Sequence, residues 1–277
     1  MNSIANFETL RLQRNGAVLH VFLNRPEARN AMSLQMVAEL RQILQEAESG
    51  AGQAHAVRVL VLQGTGGHFC AGADLKDMAA ARMRMAQATD AESGDALAQV
   101  NAAFGELCVA YAASPLATVA VLEGTVMGGG LGLACVVDVA IASETASFRL
   151  PETSLGMVPA QIAPFLVERL GYSQAKRLAV TGGKLDAAAA LQIGLVHVAV
   201  GTADLPSALD QVLADILACA PGALAATKAL MRQARLRPPA ELVQTAAAIF
   251  SQAAQGAEAL EGISAFLQKR KPQWATP

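Results

Sequence analysis

Aromatic residues are scarce in this chain, only 4% of its 277 positions, with one Trp and two Tyr. Packing must therefore come from Ala, Val and Leu. The 53% hydrophobic content supplies enough for one large core, or a core plus an appendage. Charge is sparse as well, at 16%, and nearly balanced at a net −2 with a pI near 6.1. There is no basic footprint for nucleic acid. Cys70, Cys108, Cys135 and Cys219 are scattered and form no Cys-x-x-Cys pair. That spacing argues against a zinc site or a disulfide framework and for reduced thiols in the cytoplasm. His20, His55, His68 and His197 lack metal-ligand spacing and read as structural, so no metal is expected. Met1 to Phe7 has no basic region followed by an apolar one and does not read as a signal peptide. Uncharged runs such as the one leading through Pro115 to Leu122 fall short of the roughly 20 residues a membrane span needs. The expectation is a soluble cytoplasmic protein with no nucleic-acid or membrane partner.

What the chain does have is glycine placed at joints. Thr118 to Leu122 is a short apolar, β-branched run of the kind that forms a buried strand. Beyond Gly128, Gly129 and Gly130, the uncharged stretch Leu131 to Val137 favours a helix. Glycines between strand and helix let the backbone approach something closely and leave the first helical N–H groups unpaired. Such groups attract an anion or a developing oxyanion; the same glycines also suit plain packing. No Gly-Lys-Ser/Thr follows and the spacing is not Gly-x-Gly-x-x-Gly, so neither nucleotide-binding loop is present. A second joint lies at Cys70-Ala71-Gly72-Ala73-Asp74-Leu75. Two N–H groups aimed at one point form an oxyanion hole, and losing one donor from such a hole costs about 10²–10³ in rate.

The remaining chain alternates strands and helices. Val18 to Leu23 reads as a strand. A helix follows from about Ser33, with Met36, Val37, Leu40, Ile43, Leu44 and Ala47 on one face and Gly50 past its end. Val57 to Leu62 is a second strand. Residues 79 to 96 are polar and unpatterned, expected as a mobile loop or frayed helix. Leu97 to Tyr111 reads as a helix stopped at Ser114-Pro115, and Asp138 to Ser143 as a strand. Ala146 to Phe148 is expected to extend the same sheet, and Leu195 to Val200 is one more strand. From Asp204 onward only helices are expected. Recurrent short strands fit a spiral of β-β-α turns, and by periodicity alone a doubly wound sheet as well.

Four motifs occurring in order carry a resemblance: Asn24-Arg-Pro-Glu-Ala-Arg-Asn-Ala-Met32, Phe69-Cys-Ala-Gly-Ala-Asp-Leu75, Gly124-Thr-Val-Met-Gly-Gly-Gly130 and Phe148-Arg-Leu-Pro-Glu152. Together they resemble the crotonase superfamily, the enoyl-CoA hydratases and isomerases, from about Phe7 to Pro272. The resemblance implies an α/β fold, a crotonase-like spiral over residues 1–203, followed by a helical oligomerisation region at 204–277. It implies a trimer or dimer of trimers acting on an acyl-CoA thioester through an enolate, with no cofactor beyond the coenzyme A of the substrate. Residue by residue, Ala73 and Gly129 would donate the two N–H groups and Glu152 would be the catalytic acid/base. Ala28, Ala71, Asp74, Leu75 and Gly128 would line the substrate path, and Phe266 with Lys269 would close the CoA site. Asp74 and Asp138 read as turn or cap residues rather than reacting acids.

The motifs depart from the family pattern at Gly132, which stands where the first catalytic glutamate of the hydratases would be. One glutamate is the arrangement of the Δ3,Δ2-enoyl-CoA isomerases. Leu155-Gly-Met-Val-Pro-Ala-Gln-Ile-Ala-Pro-Phe165, taken with Gly132, is similar instead to hydratases of branched glutaconyl-CoA substrates, of the isohexenylglutaconyl type. In that reading Gly132 leaves room for a larger or charged acyl group. A hydratase is the first expectation, an isomerase the second, and a non-catalytic crotonase-like binding protein the third.

Overall fold

The computed structural model describes residues 7–50, 56–87 and 95–275. Leu10 and Leu12 alternate with Arg11 and Gln13, and this period-two pattern forms strand β1 (Leu10–Asn15). The chain turns at Gly16 into β2 (Val18–Leu23), which pairs antiparallel with β1. Seven further strands follow: β3 (Val59–Gly64), β4 (Ala117–Leu122), β5 (Thr125–Met127), β6 (Val139–Ser143), β7 (Ser147–Arg149), β8 (Lys184–Asp186) and β9 (Val198–Val200). The helices are α1 (Leu34–Ser49), α2 (Leu75–Gln87), α3 (Ala96–Ala113), α4 (Gly129–Val136), α5 (Ala163–Thr181), α6 (Ala187–Gln192), α7 (Leu205–Ala218), α8 (Pro221–Ala234), α9 (Pro239–Ala254) and α10 (Ala257–Leu267).

The main sheet has the order β1-β2-β3-β4-β6-β9, parallel from β2 onward. The inner strands β3, β4 and β6 are apolar on both sides because both faces are covered, and β4 is buried throughout. Leu60, Leu62, Ala120, Leu122, Ala140 and Ala142 point into the larger core with α1, α3 and α4. Val59, Val61, Val119, Val121 and Ile141 point the other way, under Leu205, Leu209 and Leu213 of α7. The first helix of the expected C-terminal region thus closes one face of the sheet, whereas α8, α9 and α10 contribute little to either core: the buried residues recorded there are Leu242 and Ala265.

A second layer positions the site. β5, β7 and β8 form a separate three-stranded sheet. Ser147–Arg149 therefore does not extend the main sheet as the sequence led us to expect; it pairs with Thr125–Met127 and Lys184–Asp186. Three-residue strands are too short to carry a period of their own. The layer continues through single parallel bridges, Val126 to Cys70 and Ala73 to Met32. Each turn of the spiral thus runs from a main-sheet strand, through this second layer, into a helix. Residues 79–87, expected as loop or frayed helix, continue α2, where residues 79–84 are exposed except for the buried Ala81. At the other end of that stretch, Asp95 caps α3 and Ala96 begins it, while residues 88–94 lie outside the described residues.

Candidate active site

The spiral stacks the ends of successive second-layer segments, and this brings distant motifs together. Cys70 N–H donates to Thr125 O and Met127 N–H to Cys70 O, so the two glycine joints run side by side. Met32 N–H donates to Gly72 O, and Asp74 N–H to Met32 O, which adds the Asn24–Met32 motif to the same row. Ala71 N–H is taken by Arg29 O, one residue beyond Ala28.

Glycine is required at two places here. Gly128 has φ +48° and ψ −116°, a conformation that a side chain strongly disfavours. A Cβ on Gly128 would also lie 2.9 Å from Glu152 Oε1 and 3.6 Å from Gly72 Cα. Gly72 has φ +94°, and a Cβ there would stand 3.3 Å from Met127 O. The residues that precede Ala73 and Gly129 are therefore in contact with each other. The N–H groups of Ala73 and Gly129 themselves donate to no acceptor among the described residues. Gly129 is the first residue of α4, whose first internal hydrogen bond runs from Gly132 N–H to Gly128 O.

Glu152 begins a 3-10 turn, Glu152–Leu155, directly after β7 and Leu150-Pro151. Its Oε1 sits against Gly128, and its buried Oε2 has no hydrogen-bond partner among the described residues. Burial pushes the carboxyl pKa above the usual glutamate value, and the bond from its own backbone N–H only partly offsets that. A partly buried acid with one free oxygen is poised to accept and return a proton.

The surrounding charges serve structure. Burial opposes ionisation of Asp74, but the Lys76 N–H and the Arg25 guanidinium outweigh it and hold its pKa below the usual range. Arg25 pairs with Asp74 at 2.8 Å and also donates to Ala31 O, tying the first motif to the second. Asp138 accepts from Thr118 N–H, the Thr118 hydroxyl and Lys228 Nζ. Asp74, bonded to Lys76 N–H two residues on, is the turn residue the sequence led us to expect, whereas Asp138 ties β4 to α8 through Thr118 and Lys228. Asn30, fully buried at φ +56°, takes Arg25 N–H on its side-chain oxygen and donates to Thr65 O and His68 O. Sequence reading missed this strut; its available signal was an Asn, after glycine the residue type most tolerant of left-handed backbone. At the far end of α4, Arg169 from α5 donates to Ala134 O, Cys135 O and Val137 O, satisfying carbonyls that the short helix leaves open.

Gly132 departs from its expected role. It is buried, and a Cβ there would lie 3.1 Å from Phe104 Cζ and 3.2 Å from Ile162 Cγ1. The room anticipated beside it is already filled by these two side chains. Leu75, at the start of α2, is 70% exposed, and Phe266, near the end of α10, is 82% exposed. Lys269 lies just beyond α10 at φ +54°. Phe266 and Lys269 share no hydrogen bond with the residues gathered around Gly128; their side chains belong to the chain's outer surface.

Known proteins share this fold. Residues 13–277 match the family model described as enoyl-CoA hydratase/isomerase. Among solved structures, an enoyl-CoA hydratase/isomerase from Marinobacter aquaeolei is 47% identical with a TM-score of 0.91, covering 97% of this chain and 100% of its own. AtuE of Pseudomonas aeruginosa is 49% identical with a TM-score of 0.90, over the same 97% and 100%. The enoyl-CoA isomerase/hydratase fer4 of Mycosarcoma maydis is 35% identical over 266 residues, 92% of this chain and 91% of fer4. The chain has the crotonase fold and belongs to the enoyl-CoA hydratase/isomerase family of enzymes.

Proposed function

We propose that the protein hydrates an α,β-unsaturated acyl-CoA, with Glu152 as its single proton carrier. The observation that carries this reading is the Glu152 carboxylate, one oxygen against Gly128 and the other unpartnered, beside two unengaged N–H groups. The thioester oxygen accepts hydrogen bonds from Ala73 and Gly129, whose N–H groups stabilise the negative charge that builds there. Glu152 takes a proton from water as the water oxygen bonds to C3, leaving an enolate. It then returns that proton to C2, so that the net change is addition of one water. Ala28, Ala71, Asp74 and Leu75 border the path of the pantetheine and adenine, and Phe266 and Lys269 close it from a neighbouring subunit. The acyl group is of the branched glutaconyl type, as the Leu155–Phe165 segment favours.

A second reading is favoured by the filled space beside Gly132. With no second acid to hold water there, Glu152 would instead carry a proton between C2 and C4, as an isomerase does. Crotonyl-CoA, a 3-enoyl-CoA and 3-methylglutaconyl-CoA offered separately to the purified protein distinguish the two. Loss of the conjugated thioester absorbance with the first or third supports hydration. Its appearance with the 3-enoyl-CoA alone supports isomerisation, and inertness toward all three refutes both.

Assembly is part of the same proposal. Met231, Val243, Phe250, Leu260, Ile263 and Leu267 on α8, α9 and α10 are each at least 59% exposed. So much exposed apolar surface on three neighbouring helices supports an interface between copies of the chain. Sedimentation at micromolar concentration is expected to give a trimer or a dimer of trimers; a monomer would contradict this.

A further inference from the structure

Phe104 lies on the face of α3 that looks at the start of α4. A Cβ on Gly129 would be 3.5 Å from Phe104 Cε2 and Cζ, and one on Gly132 would be 3.1 Å and 3.3 Å from Cζ and Cε1. One ring therefore covers two positions one turn apart on α4, including the one whose N–H is unengaged. Ile162, only 4% exposed, completes the cover over Gly132 from the segment before α5.

The placement of this ring is built in. Gly105, the residue after Phe104, is a mid-helix glycine, an element that ordinarily costs stability. Its lack of a side chain admits Gln161, whose Oε1 would otherwise meet a Cβ at 2.1 Å. Gln161 in turn donates to Asn101 Oδ1 at 2.9 Å. Asn101, Phe104 and Gly105 share one face of α3 at helical spacing. The lock between Gln161 and α3 thus brings Phe104 and the next residue, Ile162, to Gly132 together.

We infer that Phe104 is a specificity-determining residue. Its ring, with Ile162, occupies the volume that a carboxylate side chain on residue 132 would need, and its edge forms an apolar wall beside Gly129. An acyl group whose carbonyl is held at Gly129 then lays its C2–C3 bond along an aromatic edge rather than against a second acid. Gly132 and Phe104 are two halves of one exchange: a small residue on α4 makes way for a large one on α3. This rests on the acyl-CoA reading of the site, but its packing half stands on geometry alone.

A double-mutant cycle of Gly132→Glu and Phe104→Ala tests it, read by melting temperature and by kcat/KM for crotonyl-CoA and a 3-branched enoyl-CoA. Gly132→Glu alone should lower the melting temperature by on the order of 5 °C, because the added side chain overpacks a filled space. Adding Phe104→Ala should recover most of that loss, a non-additivity expected only of residues that share one volume. Phe104→Ala alone should shift the preference between branched and straight acyl groups by about tenfold or more. Phe104→Leu, a milder truncation, should shift it in the same direction and guards against misfolding of the alanine variant. Additive melting shifts, or a preference unchanged in both Phe104 variants, would overturn the inference. A wild-type protein inert toward every enoyl-CoA would instead sink the functional reading, leaving the melting cycle to judge the packing.

Discussion

Glu152→Gln is expected to lower turnover of an enoyl-CoA by about 10²–10⁴-fold, the range that general acid–base catalysis supplies. The amide keeps the shape of the carboxylate against Gly128 but can neither take nor return the proton. Coenzyme A binding, measured by calorimetry, should stay nearly unchanged, since Glu152 touches the glycine joint rather than the proposed path for the nucleotide. The wild-type rate should rise with pH through the raised carboxyl pKa, because only the ionised form accepts a proton from water. Stability runs the opposite way. A folded-state pKa above the unfolded value means that this group's contribution is complete below the unfolded pKa and declines as pH rises through the folded one. Glu152→Gln should therefore show no loss of thermal stability at neutral pH while losing activity. Turnover near wild type would move the proton to another residue.

Gly129→Pro should cost about 10²–10³ in kcat/KM, the effect of removing one donor from an oxyanion hole. Proline suits the first position of a helix, where the missing N–H has no intrahelical acceptor, so α4 should still form. The Cβ position is open: a Cβ on Gly129 meets Phe104 at an ordinary 3.5 Å and Met32 Sδ at 3.9 Å. An unchanged melting temperature with the expected rate loss would assign the defect to the site in front of the Gly129 nitrogen rather than to folding. Retained activity in a folded variant would place the thioester oxygen elsewhere. Gly128 is a poorer position for such a test, since any side chain there both strains the backbone and displaces Glu152.

Local pattern was enough for the elements that carry their own period. The apolar face Met36, Val37, Leu40, Ile43, Leu44 and Ala47 is buried as its helical spacing requires, and Ser33 caps the helix by accepting from Met36 N–H. The uninterrupted apolar run of β4 is a central strand because both of its faces are covered. The glycine joints were legible too, since Gly72 and Gly128 adopt backbone that other residues avoid. The family rested on motif resemblance, and the match of residues 13–277 to the enoyl-CoA hydratase/isomerase family supports it.

Tertiary structure alone decided how these pieces meet. β5, β7 and β8 exist as strands only through pairing across the spiral, and three residues hold no periodic signal. The environment of Glu152 depends on Gly128 lying against it, from a joint more than twenty residues away in sequence. Most of all, a glycine at position 132 reads from the sequence as empty space. Whether that space is open depends on side chains from other elements, and Phe104 and Ile162 fill it. Sequence determines which residue is small; packing determines what takes its place.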